Sequence, residues 1–163
     1  MIITAGKFKG RKIVVPDEKI TRPTLSKVRM GVFNTLQAMI DFEGKSFLDM
    51  YAGSGIMGLE ALSRGFSHAA FIEKNPKAAK ILKANVGEVI VGDSLKIAPK
   101  LGYFDVVYID PPYGQGIYEA SLKAANSGIF ILEHVENVDL TGFTVLKQKK
   151  YGDKLITVIK RAD

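Results

Sequence analysis

The chain has 163 residues, 47% of them hydrophobic, enough for one domain with a sizeable core. It carries no cysteine and only two histidines, which excludes disulfides, thiolate nucleophiles and a zinc site, and its 23 Lys and Arg against 17 Asp and Glu give a formal charge of +6 that favours polyanionic partners. No stretch is apolar enough for a signal peptide or a membrane span, so a soluble cytoplasmic protein with no membrane partner is expected.

In chain order, residues 2–4 and 11–15 read as a short β-hairpin joined by the Gly-rich AGKFKG. Lys7, Lys9, Arg11 and Lys12 make this leader basic, and Arg22 and Arg29 extend the run, so these six are candidate phosphate contacts. Val28, Val32, Leu36 and Ile40 recur at helical spacing and predict a helix starting near Leu25. From Ser46 onward strand-like and helix-like segments alternate: SFLDM, IMGLEALSRG, HAAFIE, PKAAKILKANV, EVIVGD, DVVYID, IYEASLKAA and GIFILEH. Alternation of this kind predicts a mostly parallel sheet covered by helices, and the tail, FTVLKQKK-YGD-KLITVIKR, predicts an antiparallel hairpin at its edge. The expected organisation is a basic extension over residues 1–23 and one catalytic domain over 24–163.

LDMYAGSGIMG leaves a strand, bends at small residues and enters a helix, with Gly53, Gly55 and Gly58 in a GxGxxG pattern. Such a loop brings backbone close to a ligand. A dinucleotide would place its ribose against an acid about 20 residues on, and Glu73 would serve. Asp49, just before the glycines, would repel a pyrophosphate and suits a cationic ligand such as S-adenosylmethionine (SAM). The stretch resembles the first motif of class I SAM-dependent methyltransferases, through Asp49, Ala52, Gly53 and Gly55. That resemblance implies a Rossmann-like fold and a cofactor site at Asp49, Tyr51, Ala52, Gly53, Ser54 and Gly55, with Glu73 on the ribose and Asp93 and Ser94 near the adenine. Asp93 also reads as a helix cap.

The fourth strand of such a sheet delivers VVYIDPPYG beside that loop. Pro111 and Pro112 fix φ and remove two backbone donors, leaving carbonyls that only accept. Asp110 and the Pro111 carbonyl can each accept one N–H of an exocyclic amine and aim its lone pair at a methyl carbon, and Tyr113 can stack on the base. DPPY resembles the signature of methyltransferases acting on planar amino nitrogens. Over nearly its full length the chain resembles the bacterial 16S rRNA guanine-N2 methyltransferases of the RsmD type, through ITAGKFKGRKI, RPTLSKVRMGVFNTL, the glycine loop, DPPY, Glu133-His134 and the late YGD. The resemblance implies a seven-stranded sheet, SAM as cofactor with no metal, a monomer, and 16S rRNA within a small-subunit particle as partner. The segments at Val86-Gly87 and before Gly128 are shorter than in that family, which implies altered walls around the adenine and the target base. A DNA adenine-N6 methyltransferase, a non-catalytic RNA-binding assembly factor and an NAD-linked oxidoreductase are the competing readings.

Overall fold

A computed structural model describes residues 1–17, 25–112 and 116–163. Seven strands form one sheet: β1 (Ser46–Asp49), β2 (His68–Glu73), β3 (Ile90–Val91), β4 (Tyr103–Ile109), β5 (Asn126–His134), β6 (Phe143–Tyr151) and β7 (Lys154–Arg161). Their order is β3-β2-β1-β4-β5-β7-β6. The first five are parallel neighbours, whereas β7 enters antiparallel between β5 and β6. The expected mostly parallel sheet with an antiparallel C-terminal hairpin is therefore the one found. The chain winds outward from β1 to β3 and resumes at β4 on the other side of β1, so strand order reverses between β1 and β4, the place where open α/β sheets bind ligands.

Alternation along the buried strands divides the core into two layers. Phe47, Val106, Tyr108, Ile131, Ile156 and Val158 face α1 (Ser26–Met39) and α2 (Ile56–Arg64). Leu48, Val107, Ile109, Phe130, Leu132 and Ile159 face the opposite side, with α4 (Ser94–Ile97) and α5 (Ile117–Ala124). Pro76 at the first turn and Asn75, whose Oδ1 accepts from Lys77 N–H at 2.9 Å and Ala78 N–H at 3.1 Å, start α3 (Pro76–Val86).

Helix α1 begins beside Leu25, as expected, and buries Val28, Val32 and Leu36, but Ile40 lies past its end in extended backbone. It also buries Arg29, which is 1% exposed. The leader closes through Ile3 N–H to Arg11 O at 3.0 Å and Ile13 N–H to Met1 O at 2.9 Å, with one antiparallel bridge between Ile2 and Lys12. Its pairing stays short because Thr4 N–H turns to Glu60 Oε1 and Val14 N–H to Asn85 Oδ1, which anchors it on α2 and α3. Among the described residues no helix is long and apolar enough to cross a membrane.

Candidate active site

The carboxyl ends of β1, β2, β4 and β5 open into one cleft of about 1020 Å³. On its wall, the chain leaving β1 is tied to its neighbours by Met50 N–H to Tyr108 O at 3.1 Å and Ala52 N–H to Ile72 O at 2.9 Å. Gly53 then turns with φ 57, and Gly55, at φ 82, precedes α2. Tyr51, Ala52, Gly53 and Ser54 line the cleft. Gly55 is not on that wall, and a Cβ there would strike Leu82 and approach Val86 to 3.2 Å, so this glycine is needed for packing. Gly58 is likewise a packing glycine, since its Cβ would meet the Phe71 ring. Two of the three loop glycines are thus required by the protein's own core.

Glu73 closes the loop from the end of β2. Its Oε1 accepts from Gly53 N–H at 2.9 Å and its Oε2 from Asn75 N–H at 2.8 Å, so one carboxylate sets both the loop and the start of α3. Asp93 fills the capping role, accepting from Leu95 N–H at 3.0 Å, and it also lines the cleft. Ser94 also lines the cleft, and its buried hydroxyl donates to the Met50 carbonyl, which holds the loop. Tyr51 shares a hydrogen bond with Ser121 at 2.7 Å, and burial pushes its phenol above the ordinary range.

Asp110 is the first residue beyond β4, with Pro111 buried behind it and Pro112 exposed, and all three line the cleft. Tyr113 lies outside the described residues. Desolvation, followed by the nearby Glu133, holds the Asp110 carboxyl well above the usual range, and Lys154 opposes the rise. Asp49, 1% exposed and accepting from Gly58 N–H at 3.4 Å, is raised for the same first reason.

Beneath Asp110 lies a cluster whose chemistry the sequence does not announce. Glu133, at the end of β5, is 1% exposed and near enough to Asp110 for its charge to raise that carboxyl. It accepts from the Tyr108 hydroxyl of β4 and from Lys154 Nζ of β7 at 2.5 Å. Desolvation, with Glu133 and Asp110 adding repulsion, raises the Tyr108 phenol far up. His134 is held between the Glu136 carbonyl at 2.8 Å and Thr157 Oγ1 at 2.7 Å, which suits a structural role. A signal for Glu133 existed: an acid ending the apolar run GIFILEH is costly to bury unless it is partnered.

The cleft is acidic although the chain is basic. Asp49, Glu73, Asp93, Asp110, Glu133, Glu136 and Asp153 line it against Lys74 and Lys154. The basic candidates lie elsewhere. Lys7, Lys9, Arg11 and Lys12 are exposed on the leader, Arg11 donating to the Asn85 carbonyl at 3.1 Å. Arg22 lies outside the described residues. Arg29 needs correction: its side chain is buried, forms an ion pair with Glu60 at 3.7 Å and donates to the Ile2 carbonyl at 2.7 Å, so it anchors the leader and cannot meet a phosphate.

Residues 1–160 match the family described as Conserved hypothetical protein 95. Ribosomal RNA small subunit methyltransferase D of Escherichia coli K12 is 32% identical over 151 residues, 83% of this chain and 75% of that protein. The protein of the same name from Haemophilus influenzae is 32% identical over 172 residues, 92% and 88% of the two chains. Among solved structures, a hypothetical protein of Thermus thermophilus superposes with a TM-score of 0.80 at 27% identity, covering 98% of this chain and 99% of that one. The fold of yhhF from Escherichia coli gives 0.85 at 24% identity, over 99% and 97%.

Proposed function

The chain belongs to the Conserved hypothetical protein 95 family and is an RsmD-type methyltransferase; from that premise we propose that it transfers a methyl group from SAM to the exocyclic N2 of a guanosine in 16S rRNA. The observation that carries the reading is the position of Asp110 and Pro111, two acceptors at the tip of β4, beside the glycine loop and over an acid-lined cleft.

The donor set fits a cationic cofactor. Asp49 and Asp110 are desolvated carboxyl groups whose charged forms the surrounding protein compensates only weakly, and a sulfonium with an ammonium group supplies positive charge to that cleft. Glu73 is fixed by two N–H donors and keeps further lone pairs for ribose hydroxyls, and Asp93 stands at the next strand end for the adenine side. When bound, SAM supplies an electrophilic methyl carbon.

The chain's own residues do the rest. Asp110 and the Pro111 carbonyl accept the two N–H groups of the target amine, hold its nitrogen in line and stabilise the positive charge that develops there. Once the positive charge of the cofactor has favoured its ionised form, Asp110 takes the proton that leaves as the N–C bond forms, a role suited to a carboxyl whose proton affinity burial has raised. Lys154 and Tyr108 fix Glu133, whose charge lies next to Asp110. Tyr113 would stack on the extruded base. In this reading residues 1–23 form an RNA-facing extension of the catalytic domain over 24–163, the leader cations Lys7, Lys9, Arg11 and Lys12 touch phosphates, and the protein acts as a cytoplasmic monomer on an assembled small-subunit particle.

The test is mass spectrometry with primer extension on 16S rRNA from a strain lacking the gene. One guanosine should lose its N2-methyl group and regain it on complementation. Unaltered 16S modification would remove the rRNA assignment.

A further inference from the structure

We propose that the edge strand β6 is a phosphate-binding ridge for the RNA strand beside the target nucleotide, an interaction surface separate from the leader. The proposal rests on the rRNA methyltransferase reading and names how that site holds its substrate.

The hairpin over residues 143–161 carries six cations, Lys147, Lys149, Lys150, Lys154, Lys160 and Arg161, against the single acid Asp153, in a chain whose net charge is only +6. Two of these cations have internal duties. Lys154 pairs with Glu133 at 2.5 Å, and Arg161 donates to the Leu122 and Ala125 carbonyls while lying over the Phe130 and Phe143 rings. Lys147, Lys149 and Lys150 are different. All three are exposed, and none forms an ion pair among the described residues.

Register sets two of these lysines level with the cleft, with Lys147 further along the same edge strand. Lys149 pairs with Ile156 and Ile156 with Glu133, while Lys150 pairs with Leu155 and Leu155 with His134, so both lysines stand level with cleft-lining residues. The β6–β7 turn then puts Asp153 and Lys154 on the cleft wall itself. The ridge is also braced: the Tyr151 ring packs where a Cβ on Gly31 of α1 would fall, and Lys149 Nζ rests 5.1 Å from the centre of that ring. By contrast the leader contacts α2 and the end of α3, through Lys7 N–H to Ser63 O at 2.9 Å and Arg11 to Asn85 O at 3.1 Å, on the β1–β2 side of the sheet. An RNA strand crossing the cleft thus meets cations on both flanks and carboxylates between them.

Lysines on an edge strand have another use, since charge of either sign discourages edge-to-edge pairing of sheets. Phosphate binding needs the positive sign, and that difference sets the experiment. The full-length variant Lys147→Glu/Lys149→Glu/Lys150→Glu keeps a charged edge and reverses its sign. Anisotropy with a labelled single-stranded RNA across a salt series should show a dissociation constant raised roughly tenfold or more, and a slope of log K against log salt flatter by about 2, from about 0.7 for each phosphate that is no longer neutralised. Calorimetric SAM binding and the melting temperature should match the wild type. Unchanged RNA affinity and slope would overturn the ridge while leaving the methyltransferase reading intact. Unchanged binding to free RNA with abolished binding to small-subunit particles would also overturn it, by placing a ribosomal protein on β6. Absence of binding by the wild type to free RNA and to small-subunit particles alike, at any salt, would instead sink the underlying reading.

Discussion

Asp110→Asn should lower activity and raise stability together, and the two effects have separate physical origins. In the wild type the folded state keeps the Asp110 proton at a pH where the unfolded chain has released it, because desolvation comes first and Glu133 second in raising the carboxyl's affinity. The favourable contribution of that proton is complete below the ordinary carboxylate range and is lost as pH rises through the raised folded value. Asparagine resembles the protonated form at every pH. Each pH unit between the unfolded and folded titration points corresponds to about 1.4 kcal/mol, and each kcal/mol moves the melting temperature of a chain of this size by about 2–4 °C. The variant should therefore melt several degrees higher than wild type near about pH 8, with the gap closing toward about pH 4. Turnover should move the other way, by about 10²–10³-fold, the range for removing one preorganised electrostatic contact to a transition state. Scanning calorimetry over the pH series, paired with single-turnover methyl transfer to 16S rRNA, reads both quantities. A variant that melts lower near about pH 8, or that keeps its rate within about tenfold, would refute the burial argument or the catalytic role respectively.

Other substitutions separate structural from chemical duties. Lys154→Met leaves the buried Glu133 without its cation and should destabilise by about 2–4 kcal/mol in urea unfolding, with much of the loss recovered in the Lys154→Met/Glu133→Gln double variant; a double variant no better than the single would show that the pair is not the cause. Arg29→Met removes one of the two cations beside the buried Glu60, Arg64 remaining at 3.1 Å, together with the bond to the Ile2 carbonyl, and should cost about 1–3 kcal/mol, yet RNA affinity measured below the new melting point should stay at the wild-type value. A stable Arg29→Met protein whose leader resists proteolysis as in the wild type, yet which binds RNA more weakly, would reinstate the arginine as a phosphate contact. Gly58→Ala drives a Cβ to within 2.7 Å of Phe71 Cζ and should cost about 1–3 kcal/mol by overpacking, and denaturation at wild-type urea concentration would show that the Phe71 ring yields.

What the sequence makes legible follows from local chemistry. Strands buried on both faces read as continuous apolar runs, so β4 and β5 declare themselves in FDVVYI and GIFILEH, and the break at Asp110-Pro111-Pro112 marks a carboxyl end where ligands gather. The glycine loop is readable for the same reason, although its spacing does not reveal that Gly55 and Gly58 answer to Leu82 and Phe71. The Glu133 cluster resists such reading because its members come from three strands. Tyr108 lies 25 residues before Glu133 and Lys154 lies 21 after it, and they meet only because β7 inserts beside β5. Arg29 sits one helical turn before Phe33, on the apolar face of α1, and Glu60 interrupts the otherwise apolar start of α2; each is conspicuous in hindsight, but nothing local pairs them.

The distribution of charge separates the two ends of a nucleotide. Seven carboxyl groups and two lysines line the cleft of a chain whose overall charge is +6, so its cations are displaced onto the surrounding surface. In the proposed reading phosphates would be drawn to the leader and the β6 edge and repelled from the cleft, whereas a neutral base would suffer no such repulsion and would find acceptors at Asp110 and Pro111. Extruding one base while the backbone stays outside is therefore favoured by electrostatics before any contact specific to that base forms. On the same reading the acids that exclude phosphate would also hold a cationic methyl donor, so one arrangement of carboxylates would both recruit the donor and decide which part of the RNA reaches it.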